Sequence, residues 1–160
     1  MFQFEYLNKQ KMENQSRFQE QFAHFLEQCP GEFSYAVEIR NPNYLNISYF
    51  KFLNDFKLGH VFLQGYYMPS IFDIFEKFSD LLVSPSVTRL LGPDRQGIEE
   101  SSKEIWNKII EDRSAEIEQL YDMINRLREK ETDIYINVNN HYEGSAPITV
   151  QRIIHKFQKQ

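Results

Sequence analysis

The sequence predicts an α/β fold of parallel strands, and three observations carry that expectation. Short extended runs alternate with longer helical periods five times in succession, and strict alternation of this kind joins parallel strands through right-handed crossovers. Polar residues on the extended runs fall on one face by parity, as the two-residue repeat of a strand requires. With 160 residues, 41% hydrophobic and 15% aromatic, the chain is sized for one domain with a real core.

Each element has its own signal. Phe2 to Tyr6 reads as a strand, followed by a helix from Ser16 to Cys29 with Phe18, Phe22, Phe25, Leu26 and Cys29 on one face. Ser16 and Gln19 form a capping-box pattern at its start. Tyr35 to Arg40 is a second strand, and Asn46 to Phe56 a helix burying Ile47, Phe50 and Leu53. His60 to Gln64 is the third strand; Pro69 and Ser70 then open a helix through Phe78 on the repeat Ile71, Ile74, Phe75, Phe78. Val87 to Leu91 follows as a strand, with Gly92 to Gly97 as a loop. Ile117, Leu120, Tyr121, Ile124 and Leu127 predict a long helix with Ser114 as its cap. Ile134 to Val138 is the fifth strand and Ile148 to Phe157 the last helix.

Parity places Gln3 and Glu5 on one face of the first strand, and Ala36, Glu38 and Arg40 on one face of the second. Arg89 lies between Val87 and Leu91, and Asn137 and Asn139 follow Tyr135. In an open sheet covered by helices on both faces, these charges lack partners. A barrel interior supplies them: Glu5 and Glu38 neutralise Arg40 and Arg89, and the asparagines fill the remaining hydrogen-bonding demand.

Composition narrows function by exclusion. A net charge of −5 disfavours broad nucleic-acid or anionic-membrane binding. Cys29 is the only cysteine, so no intrachain disulfide or cysteine metal cluster is available, and a reducing cytoplasm fits. No window approaches eighteen consecutive apolar residues, and Met1 to Tyr6 has no signal-peptide pattern. Glu5, Glu38 and His60 are conceivable metal ligands, but no close-spaced ligand motif supports a metal, and the sequence names no cofactor. Cys29 and Trp106 read as core.

The run Tyr135 to Pro147 is the densest in polar residues, leading from a strand through Asn139-Asn-His-Tyr-Glu-Gly-Ser-Ala-Pro147 into a turn. Together with Phe2-Gln-Phe-Glu-Tyr6, Val37-Glu-Ile-Arg-Asn41, Met68-Pro69 and Arg89-Leu-Leu-Gly-Pro-Asp-Arg95, it resembles the YecE-like proteins, domain of unknown function 72. The resemblance implies a fold similar to a TIM barrel and an unassigned function. It further implies that the chain corresponds to strands 4 to 8 of eight, a single truncated barrel domain over residues 1–160. A full barrel takes roughly 250 residues and leaves no sheet edge open. The first and fifth strands here would each expose one, so the expected partners are a second copy or a separately encoded N-terminal half.

In such barrels sites gather at the C-terminal ends of the strands. Glu38, Arg40, Asn41, Arg89, Gly92, Asp94, Arg95, Asn139, Asn140, His141 and Gly144 fall there or just before. Arg40, Arg89 and Arg95 are suited to clamp a phosphate or carboxylate, since a planar guanidinium pairs its donors with paired oxygens. The competing reading is an ion-pair network with Glu5 and Glu38 that holds the strands in register. His141 is the candidate general acid or base, with Asn139 or Asn140 orienting it; otherwise it is a hydrogen-bonded loop histidine. The amides around Gly144 to Pro147 either bind an anion at the last helix or form an ordinary turn and cap. The function expected is binding of, or action on, a small anionic ligand, phosphorylated or sugar-like. The alternative is a non-catalytic half-barrel that serves only in assembly or is inactive.

Overall fold

In a computed structural model, which describes residues 1–65 and 67–158, the strands form one all-parallel sheet in the order β1-β2-β3-β4-β5. The strands are β1 (Phe2–Phe4), β2 (Ala36–Ile39), β3 (Gly59–Gly65), β4 (Ser86–Gly92) and β5 (Ile134–Val138). The helices are α1 (Gln15–Leu26), α2 (Ile47–Asp55), α3 (Ile71–Phe78), α4 (Arg95–Ser102), α5 (Ser114–Glu129), α6 (Asn140–Glu143) and α7 (Ala146–Gln158). Sequential neighbours pair throughout, with no reversal of strand order. That order belongs to part of a TIM-type barrel; a doubly wound sheet would double back.

Register defines the two faces. Phe2 pairs with Val37, Val37 with His60, Phe62 with Thr88 and Thr88 with Ile136, and this face packs against the helices. Aromatic rings fill the gap: Phe4 meets Phe18 edge-on at 4.9 Å and Phe50 stacks on Phe78 at 4.4 Å. Such pairs add about 0.5–1.5 kcal/mol beyond the area they bury. The other face carries Gln3 beside Glu38, Val61 beside Val87, and Arg89 beside Asn137. Here Ala36, Val61 and Val87 form a small separate apolar cluster, with Glu38 and Arg89 one step further along their strands. We refer to this as the inner face. Its central residues are buried, Arg89 only partly so, whereas Gln3, Glu5, Tyr135 and Asn137 toward its two sides are exposed.

Several local expectations are corrected. Helix α1 is capped by Asn14, whose side chain accepts from the Arg17 amide, and Ser16 lies inside the first turn, so the capping box is not used. Ser114 likewise lies inside α5, where its hydroxyl donates to Asp112 at 2.8 Å. The stretch expected as a loop after β4 enters helix α4 at Arg95. The α1 and α2 faces are narrower than periodicity suggested: Phe25 is 50% and Ile47 52% exposed. Cys29 and Trp106 are partly exposed, so neither is a core side chain.

At the strand ends two glycines permit close backbone approach. A Cβ on Gly65 would overlap the Gly92 carbonyl, and one on Gly92 would overlap the His141 carbonyl. Both have positive φ, +134° and +81°, which glycine adopts without penalty.

Candidate functional site

The first cluster lies on the inner face. Glu38 is fully buried, and its carboxylate accepts from Arg40 Nε at 2.9 Å and from Arg89 Nη1. Arg89 also donates to Gln3 Oε1 at 3.1 Å. The side chains of Arg40 and Arg89 remain 26% and 22% exposed, so one buried carboxylate anchors two guanidiniums that still reach solvent. Strand parity gave this grouping correctly. It assigned part of the neutralisation to Glu5, however, and that residue is exposed on the wall of a cavity of about 590 Å³ shared with Tyr6, Arg40, Pro42, Leu63, Tyr67 and Met68.

The second cluster forms beyond β4 and β5. His141 Nε2 lies 3.0 Å from Glu99 Oε1, the same oxygen that accepts from Arg95 Nε at 2.8 Å, and Trp106 meets the imidazole edge-on at 5.2 Å. The Arg95 hydrogen bond, with help from His141, holds the Glu99 carboxyl below its usual range. Arg95 thus shares its acceptor with His141, whereas Arg40 and Arg89 share Glu38. Sequence reasoning missed Glu99 and Trp106. The available signal was Arg95 and Glu99 four residues apart, an ion-pair spacing that appears only once the segment is helical.

The other expected site residues are engaged in backbone architecture. Asn41 clips Leu7, accepting from its amide at 2.8 Å and donating to its carbonyl at 2.9 Å. Asp94 caps α4 through the Gly97 amide at 2.9 Å. Asn139 accepts from the His141 amide at 2.9 Å, so it positions the histidine backbone and not the ring. Asn140 Oδ1 takes the Ala146 amide at 2.8 Å, and Gly144 and Ser145 are buried. The turn before α7 is thus a cap, and the Ala146 amide is already satisfied within the fold. Gly144 ends α6 at φ +107°, where a Cβ would meet Ile110 and the Lys108 carbonyl. The conceivable metal set is not assembled: His60 shares the helix-facing side with Val37, opposite Glu38. Among the described residues no group of three or more His, Cys, Asp or Glu side chains is placed to hold a metal.

A third polar group was not anticipated. Glu143 is fully buried and accepts from the Arg113 amide at 2.9 Å, Thr149 Oγ1 at 2.7 Å and Arg152 Nη1 at 2.5 Å. Its backbone carbonyl takes the Ile110 amide at 2.7 Å. Glu143 thereby ties the segment before α5 to α7. Glu143→Ala is expected to cost about 2 kcal/mol, because it leaves the Arg113 amide without its acceptor and takes one partner each from Arg152, which keeps Asp112, and from Thr149, which keeps the Ser145 carbonyl. Limited proteolysis should then cut first between residues 103 and 113; unchanged urea stability and cleavage pattern would contradict this role.

A run of five parallel βα units with charged side chains on and beyond the strands places the protein in the α/β class, with a sheet compatible with part of a βα barrel. The sequence matches, over residues 1–160, the family model described as "Protein of unknown function DUF72", and the chain belongs to that family. No curated protein matches it. Among solved structures, a DUF72 family protein from Thermotoga maritima superposes with a TM-score of 0.65 at 17% identity. That match covers 91% of this chain and 54% of the other. One from Enterococcus faecalis gives 0.64 at 14% identity, covering 99% of this chain and 60% of the other. At these identities the likeness establishes the fold. The chain spans a little over half the length of the structures it matches. Among the described residues no helix is long and apolar enough to cross a membrane.

Proposed function

We propose that this DUF72 protein binds a small anionic ligand, phosphorylated or sugar-like, at the inner-face end of β2 and β4. The observation that carries this reading is the fully buried Glu38 carboxylate holding two partly exposed guanidiniums, Arg40 and Arg89. A buried carboxylate fixes the donors in place, so a ligand finds them preorganised and carrying one net positive charge. The neighbouring cavity offers the phenol rings of Tyr6 and Tyr67, 62% and 97% exposed, as flat walls. Glu5 at its rim is an acceptor for ligand hydroxyls. Donors, an acceptor and aromatic surfaces in one concavity suit a sugar bearing an anionic group better than a bare anion.

His141, in the second cluster with Glu99 and Arg95, takes the proton-transfer role on this reading for a ligand long enough to reach from one cluster to the other. Glu99 bonds Nε2 and orients the ring, as a carboxylate orients a general base. The fit is tested by titrating the chain with inorganic phosphate and with a hexose phosphate, monitored by calorimetry and amide NMR shifts. Arg89→Met is expected to weaken hexose phosphate binding at least about tenfold, the loss of one charge-assisted contact. Glu5→Gln is expected to strengthen phosphate binding by removing a like charge. Equal affinity in all three proteins, or no binding by any, would leave the Glu38 cluster as a strand-register device.

A further inference from the structure

We propose that two copies of this chain associate end to end, β1 and α1 of one copy docking against β5 and α7 of the other. The inference is independent of the ligand reading and starts from the sheet itself. Among the described residues, strands β1 and β5 each have a neighbour on one side only. Because every strand is parallel, the free edge of β1 and the free edge of β5 are complementary in direction. A second copy can continue the sheet with its helices on the same side.

Apolar surface lies at both ends. Beside β1 and α1 is a groove of about 430 Å³ lined by Met1, Phe2, Phe4, Phe22 and Phe25, with Met1 58% and Phe25 50% exposed. On α7, Val150 and Ile154 stand one turn apart and 37% and 42% exposed, beside the buried Thr149 and Ile153. A helix in the middle of such a sheet covers such residues with the next helix. The inner face tells the same story: its exposed side chains, Gln3, Glu5, Tyr135 and Asn137, belong to the two outer strands or their continuation.

The occupant we assign is a second copy, because this chain itself carries both halves of the contact. One copy covers 54% to 60% of the solved relatives, so two supply slightly more chain than one relative contains. Two identical contacts about one two-fold axis then leave no edge open, whereas a single contact would propagate into a filament.

Light scattering coupled to size exclusion tests this on the purified chain across a concentration series. The expected mass is twice 19.2 kDa. Ile154→Asp and Phe25→Asp, each with an unchanged far-UV spectrum, are expected to shift the mass to that of one chain. Ile47→Asp, equally exposed on α2, is expected to leave it doubled. Mixing the Ile154→Asp and Phe25→Asp chains restores one intact contact, so a mixed dimer should reappear with reduced affinity. A monomeric wild type would overturn the proposal and leave a different polypeptide as the occupant. A dimer indifferent to both substitutions, or a ladder of higher multiples, would overturn it as well. If Phe25→Asp fails to fold, Ile154→Asp alone decides.

Discussion

Glu38→Ala is expected to lower the stability of this protein by about 3–5 kcal/mol, the cost of removing one partner from a buried charge pair. The physical reason is asymmetry. In the native fold one carboxylate with no solvent contact pairs with two guanidiniums and halves their charge; in the variant those two cations face each other across a cavity. Because Arg40 and Arg89 are about a quarter exposed, water relieves part of the repulsion, which places the effect toward the lower figure. Most small domains hold only about 5–15 kcal/mol in total, so the variant should show a visibly lower urea midpoint. Arg89→Met should cost much less, since Arg40 remains on Glu38. Equal losses in the two variants would mean that the carboxylate is not the hub.

The second large effect is one of pH. His60 is buried against the rings of Tyr49, Phe50 and Phe62, with its Nδ1 3.4 Å from the Tyr49 hydroxyl. Burial pushes its pKa from 6.5 down to about 3. The folded state therefore resists a proton that the unfolded chain accepts readily. His60 contributes stability that is fully present above pH 6.5 and is lost as the pH falls toward 3. Each pH unit in that window removes a little over ~1 kcal/mol. The variant His60→Leu, close in volume and unable to titrate, should lose 2–3 kcal/mol, on the order of two pH units' worth, less than wild type between pH 7 and 4.5. Parallel pH profiles for the two proteins would show that His60 takes up its proton in the folded state.

Why the sheet was legible and the site only in part follows from the range of the forces involved. Strand parity is local, so Glu38, Arg40 and Arg89 could be grouped from spacing alone, and β5 was placed at Ile134–Val138 as found. Glu5 was given a share of the neutralisation because parity fixes a face but not a depth: it lies just beyond β1, which ends at Phe4, and is exposed. The asparagines looked like ligand groups because capping and binding draw on the same short polar side chains. Only the partner distinguishes them, and for Asn140 that partner is the Ala146 amide six residues on. Helix α4 was read as a loop because Gly92, Pro93 and Gly97 dominate the local signal, while its Asp94 cap is legible only with the Gly97 amide in view. The Glu143 group joins three elements across the chain, and no periodicity encodes it.

The stacking of Gly65 on Gly92 and of Gly92 on the His141 carbonyl also bears on how this molecule deforms. Contacts made by backbone alone have no rotamers to relax. A side chain added at Gly65 or Gly92 would therefore have to push the end of β3, the end of β4 or the start of α6 away from its neighbour, because no rotamer could absorb the overlap.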